Sequence, residues 1–205
     1  VADKIFVTGN TVIDALKITV SNSYTTPDLE WARDSKLILV TAHRRENIGE
    51  PMKQMFRAIR KLVEDNDDVK VIYPIHKNPE VRKIAYEVLG NMQRIRIVEP
   101  LDVVDFHNYM YKCYIVMTDS GGIQEEAPSL GKPVIVMRDT TERPEGVKAG
   151  TLKLVGTTFE NIYKETSELL NDERKYKEMS RCSNPYGDGF ACKRIVEIIR
   201  RKMMS

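Results

Sequence analysis

From residue 36 to residue 155 the chain repeats one alternation, and that alternation limits the folds open to it. "KLILVTA" (36–42) is a short Leu, Ile and Val run, which reads as a buried strand. In the next segment, "PMKQMFRAIRKLVEDN", Met52, Met55, Phe56, Ile59, Leu62 and Val63 recur at three- and four-residue steps, the period of an amphipathic helix. "VKVIYPI" (69–75) is the next strand. A helix over 78–90 comes after it, with Asn78 as N-cap, Pro79 at the first position and Gly90 at the stop. The rhythm continues with strands at 94–98, 113–119, 133–137 and 151–155, and helices at 102–111, 121–130 and 144–149. The tail, about 158–203, reads as helical, and the opening "VADKIFVTGNTVIDAL" reads as a strand and a helix. Strands alternating with helices at this spacing predict a parallel sheet covered on both faces, with right-handed crossovers.

A chain of 205 residues is enough for one well-buried domain and rather little for two. The 32 basic and 30 acidic residues leave a net charge of +2, so nothing in the overall charge predicts nucleic acid or an anionic membrane as partner. Cys113, Cys182 and Cys192 have no metal-ligand spacing, and their odd number argues against a disulfide scaffold. No apolar run approaches membrane-spanning length and nothing resembles a signal peptide, so the cytoplasm is the expected compartment.

In open α/β sheets, ligands sit outside the carboxyl ends of the strands. The residues found there are "HRREN", "HKN", "EPLD", "DSGG" and "RDTTERPEG". In "TDSGGIQEE" (118–126), Ser120, Gly121 and Gly122 form a tight turn into a helix. Unpaired N–H groups in a first helical turn suit an anion, most naturally phosphate. The plain alternative is a Ser-capped turn. The pattern is neither G-x-G-x-x-G nor a Walker loop, which argues against a dehydrogenase or a P-loop ATPase. Glu126, one turn beyond Gly122, can accept two ribose hydroxyls or simply face solvent. Glu125 is the better candidate for the solvated role. Arg143 can fork onto a phosphate or carboxylate, or pair with Asp139 or Glu142 at the surface. His43 can donate to a phosphate oxygen or a leaving group, or be structural; Arg44 and Arg45 beside it add donors that a structural site does not need. His76 and Lys77 raise the same question at the next strand end. Phe106 can close over a base or belong to the core, and His107 reads as a bystander.

Together "VTGNTVIDAL", "TAHRREN", "PIHKNPEVR" and "TDSGGIQEEAPSLGKPVIVMRDTTERPEG" resemble the C-terminal half of a non-hydrolysing UDP-N-acetylglucosamine 2-epimerase. The resemblance covers essentially the whole chain. It implies a glycosyltransferase-B-like architecture of two Rossmann-like domains, of which residues 1–205 would be the C-terminal, UDP-binding one. It also implies an isomerase that interconverts UDP-N-acetylglucosamine and UDP-N-acetylmannosamine by loss and re-addition of UDP through 2-acetamidoglucal. No metal and no nicotinamide is needed on that route. The likeness gives Ser120, Gly121 and Gly122 to the diphosphate turn, Glu126 to the ribose, and Arg143 and His76 to the UDP pocket. Phe106 would line the uracil, and His43 would belong to the catalytic machinery. Arg44 and Glu46 fall near a second UDP-N-acetylglucosamine that acts as activator in bacterial members. Leu101 departs from the family pattern, where a polar residue, often glutamine, is common.

The family's carboxylates for proton work at C2 lie in an N-terminal domain. The chain opens without methionine where that domain would end, so it is expected to be inactive alone, with the tail helices turned toward the absent domain. The implied partners are UDP, the two UDP-sugars, the N-terminal domain and a second copy in a homodimer, in the service of polysaccharide biosynthesis. Two other readings stay open: a nucleotide-sugar glycosyltransferase domain of the same fold, which would also need an acceptor site, and a non-catalytic UDP-sugar-binding module.

Overall fold

The computed structural model describes residues 4–204. In chain order the elements are α1 (Thr11–Thr19), α2 (Pro27–Trp31), β1 (Lys36–Thr41), α3 (Glu50–Asp65), β2 (Val69–Pro74), α4 (Pro79–Leu89), β3 (Ile95–Val98), α5 (Val103–Lys112), β4 (Ile115–Thr118), α6 (Ile123–Glu126), β5 (Val134–Val136), α7 (Pro144–Ala149), β6 (Leu152–Leu154), α8 (Phe159–Asn171), α9 (Glu173–Ser180) and α10 (Ala191–Met203). Short 3-10 turns cover Arg45–Asn47 and Ala127–Leu130.

All five ladders are parallel, and the strand order is β3-β2-β1-β4-β5-β6. Both faces of β1 are covered, so its side chains divide between two cores. Ile38 and Val40 join α3, α4 and α8 on one face. Leu37 and Leu39 join α1 and α5 on the other. That double burial is why the strand is an unbroken apolar run, and each of these side chains contributes about 1.5–3 kcal/mol of transfer free energy.

Local signals hold at several element ends. Asn78 caps α4 by accepting from the Glu80 N–H at 2.9 Å, and Asp102 caps α5 through the Asp105 N–H at 2.8 Å. Helix α2 is additional to the expected elements, although its signal is legible: Thr26 accepts from the Leu29 N–H at 3.2 Å, and Pro27 stands at the first position.

Three expectations change. The opening strand does not form among the described residues. Positions 5–10 are irregular, and Ile5 and Val7 are 71% and 97% exposed. No strand of the described sheet lies beside them, so their backbone has no ladder to join; residues 1–3 lie outside the described residues. The helix expected over 121–130 is α-helical only to Glu126 and then tightens to a 3-10 turn. Pro128 supplies no N–H for the fourth-residue bond, and Gly131 ends the turn at φ 67°. The tail does not turn away as one unit: Ile162, Leu169 and Leu170 of α8 are buried in the core beside α3. Within the tail, α10 leaves a run of apolar side chains, including Val196 and Ile199, exposed.

Candidate functional site

The strand order reverses between β1 and β4, and the crevice of an open sheet lies there. The Thr41 and Thr118 hydroxyls meet at 2.6 Å where these two strands end. Just beyond them Asp119 is fully buried. Its Oδ2 accepts the backbone N–H groups of His43 at 2.9 Å and Arg44 at 2.8 Å, and the Asn47 amide at 3.3 Å. Arg44 Nε donates to the Asp119 carbonyl at 3.0 Å. The dense polar turn after β1 is therefore wrapped around one carboxylate from the neighbouring strand end. Sequence reasoning does not single out Asp119, whose only signal is its place as the last residue before the Ser-Gly-Gly turn.

The His43 ring stacks on that of His76, with centroids 5.3 Å apart and planes 14° apart. His76 Nδ1 accepts the Asn78 N–H at 3.1 Å, so its proton is on Nε2 in this arrangement. Beside this pair opens a cleft of about 350 Å³, lined by Ala42, His76, Pro100, Leu101, Phe106 and Ile123 among others. Its walls are mostly apolar, as a flat heterocycle requires. Phe106 is half-buried, lining the cleft while packing on the core. Four larger hollows, of about 420, 430, 370 and 390 Å³, share none of these residues.

Across the switch point, the Ser120 N–H is already donated to the Thr118 hydroxyl at 2.9 Å. The amides left for an anion are those of Gly121, Gly122 and the first helical residue. Neither glycine has a positive φ. A methyl group on Gly121 would meet only the tip of Arg44 at 3.6 Å, and one on Gly122 only Glu126 Oε1 at 3.5 Å. The fold itself thus tolerates alanine at both positions.

Of the two neighbouring glutamates, one departs from expectation. Glu125, expected in solvent, is 7% exposed. It is held by Arg143 Nε and the Asn10 amide, and its carbonyl accepts from the Asn184 amide at 2.9 Å. Glu126 faces the Gly122 side of the crevice, with its Oε2 3.5 Å from His107 Nε2. His107, read as a bystander, is a buried helix residue: it is 3% exposed, and its Nδ1 lies 2.8 Å from the Thr19 hydroxyl. Arg143 pairs with neither Asp139 nor the Glu142 carboxylate. It spends Nε on Glu125 and gives Nη1 to the Glu142 carbonyl at 3.1 Å, while Nη2 has no hydrogen bond among the described residues.

The partner of the Glu142 carboxylate is Arg138, another residue that sequence reasoning does not single out. Arg138 is 7% exposed and forks onto Glu142 at 2.6 and 3.0 Å. Glu46 stands 3.6 Å from Arg138, and Arg44 stands 3.7 Å from both Glu46 and Glu142. The fork from Arg138 chiefly draws the Glu142 carboxyl down from 4.5 to about 2. Arg44 and Glu46 thus belong to a charged cluster that ties the turn after β1 to the loop after β5. No three His, Cys, Asp or Glu side chains gather as a metal would need among the described residues, and none of their helices is long and apolar enough to cross a membrane.

A doubly wound parallel sheet with its polar groups gathered at the switch point is a Rossmann-like domain of the glycosyltransferase-B kind. A glycosyltransferase C-terminal domain from Francisella tularensis shares this fold at a TM-score of 0.62 and 15% identity. The family model described as UDP-N-acetylglucosamine 2-epimerase matches residues 1–200, and the chain belongs to that family. It is 60% identical over 96% of its length to the UDP-N-acetylglucosamine 2-epimerase of Bacillus subtilis, of which it covers 52%. Among solved structures, the S. aureus MnaA–UDP co-structure matches 98% of this chain at 55% identity and a TM-score of 0.96, with 55% of that chain covered. The Neisseria meningitidis epimerase bound to UDP-GlcNAc matches 98% at 44% identity and a TM-score of 0.90, with 56% of that chain covered. The chain spans about half the length of the curated relatives it matches.

Proposed function

We propose that residues 1–205 are the UDP-binding, C-terminal domain of a non-hydrolysing UDP-N-acetylglucosamine 2-epimerase. The uracil enters the apolar cleft beside Phe106 and Leu101, with His76 on the wall. Glu126 takes the ribose hydroxyls. The diphosphate lies over Ser120, Gly121 and Gly122, within reach of Arg143 and His43. On this reading the C2 proton of the sugar is removed by carboxylates of a further, N-terminal domain, and UDP departs to leave 2-acetamidoglucal. UDP then adds back after C2 has gained a proton on its other face, which gives UDP-N-acetylmannosamine. The negative charge that grows on the phosphates is met by fixed first-turn amides and the Arg143 guanidinium, and by His43 when its ring carries a proton on both nitrogens. These groups also hold UDP until it recombines. Arg44 and Glu46 are the residues of this domain nearest to a bound activator. The whole enzyme works as a cytoplasmic homodimer.

One observation carries the reading most: Gly121 and Gly122 stand at the mouth of the crevice with no backbone or packing reason of their own to be glycine. Space left for the close approach of a ligand explains both. The test is proton NMR of the chain with UDP-N-acetylglucosamine in deuterated buffer. Saturation transfer to the uridine protons with an unchanged sugar C2 signal is expected. Absence of transfer would overturn the nucleotide site. Loss of the C2 signal with UDP-N-acetylmannosamine appearing would overturn the placement of proton chemistry in another domain.

A further inference from the structure

Asp119 has one carboxylate oxygen fully used and one left over. Oδ2 takes the His43 and Arg44 amides and the Asn47 side chain. Oδ1 is buried and has no hydrogen bond among the described residues. The group it faces is the His43 ring, whose Nδ1 is 3.6 Å away. That separation is longer than a hydrogen bond, and such contacts are often long in the free protein and tighten when the ligand is bound. A buried acceptor without a donor is unfavourable, so the arrangement favours a proton on the ring nitrogen that faces it.

We propose that Asp119 is a positioning residue for His43: it fixes the proton on Nδ1 and turns Nε2 to the cleft. The ring is held on two sides. Its Nδ1 edge meets Asp119, and its face lies on His76. Because the His43 side chain is still 39% exposed, the opposite edge remains open to a ligand. The backbone bonds to Oδ2 give the same carboxylate a second task, since they set where Cα of His43 stands relative to the Ser120–Gly122 turn. His76 is the contrasting case. Its Nδ1 is an acceptor for Asn78, so two stacked imidazoles carry their protons on opposite nitrogens. This inference rests on the proposed role of His43 in the UDP site, but its geometry can be tested without any ligand.

The test is two-bond nitrogen–proton correlation NMR on the chain with labelled histidine, recorded well above the ordinary imidazole pKa of about 6.5. There are only three histidines to assign. The expected result is Nδ1–H at His43 and Nε2–H at His76. In Asp119→Asn the amide oxygen keeps the backbone N–H groups and the amide nitrogen faces the ring as a donor. The His43 proton should then move to Nε2 while His76 stays unchanged. Asn47→Ala removes a side-chain contact to the other carboxylate oxygen and should leave both tautomers as they are. Nε2–H at His43 in the parent chain overturns the proposal, and that spectrum decides even if Asp119→Asn does not fold. An unchanged His43 tautomer in Asp119→Asn, or the same switch in Asn47→Ala, also overturns it. Saturation transfer from the chain to UDP, measured on the same samples, separates the two readings. Expected tautomers without UDP binding would sink the nucleotide site and leave the positioning role; UDP binding with the wrong tautomer would sink the positioning role alone.

Discussion

At the scale of single residues, glycines and glutamates in one short turn show what sequence can and cannot assign. The glycine pair is legible because a strand–turn–helix with two glycines has few uses. The structure sharpens that reading, since Gly122 has an ordinary helical conformation, φ −62° and ψ −43°. Gly122→Ala should therefore leave stability unchanged or raise it by about 0.4–1 kcal/mol, because alanine costs less chain entropy where it fits. The same substitution should abolish saturation transfer to UDP. Urea denaturation and NMR on one preparation check both halves, and a variant that binds UDP like the parent would remove the glycine argument. For Glu125 the sequence points the wrong way. Successive helical residues point about 100° apart, and the sequence cannot say which direction leads inward. Asn10 and Arg143 decide it, by closing on Glu125 from other segments of the chain.

At the scale of elements, the Arg44, Glu46, Arg138 and Glu142 cluster joins two strand-end segments that are otherwise separate stretches of chain. Glu142 is depressed to about 2, so it is charged in the folded state across a range where it would be protonated in the unfolded chain. A carboxylate lowered in this way adds stability above its ordinary pKa of 4.5, and that contribution is lost as pH falls from 4.5 toward about 2. Glu142→Ala leaves the buried Arg138 guanidinium without its fork. It should cost about 1–2 kcal/mol at neutral pH, a figure reduced for the half-exposed Glu142 side chain. The difference from the parent should shrink as the pH approaches 2. Urea midpoints of parent and variant at several pH values check this, and a gap that widens in acid would contradict it.

At the scale of the whole molecule, the question is which tail helices belong to the domain. Helix α8 does, since Ile162 is fully buried beside α3. Ile162→Ala should cost about 2–5 kcal/mol and lower the single unfolding transition. Helix α10 buries only Ala191 among its residues and leaves Val196 and Ile199 about half exposed. Val196→Ala should therefore change stability by no more than about 0.5 kcal/mol. Thermal unfolding of both variants separates the helices; equal losses would mean that α10 is as firmly part of the core as α8.

The sequence by itself determined the alternation of strands and helices, the cap at Asn78, and the fact that the unusual polar clusters fall at strand ends. These are local properties. A side chain's period along the chain reports whether it faces the core, and a cap is made within three or four residues. Tertiary structure alone decided which partner each polar group takes. Asp119 meets His43 across 76 residues, and Arg143 meets Glu125 across 18. Arg138 is buried because the loop after β5 folds over the turn after β1. The opening apolar segment fails as a strand among the described residues for the same reason in reverse: its composition suits a sheet, but a strand exists only where another backbone lies beside it.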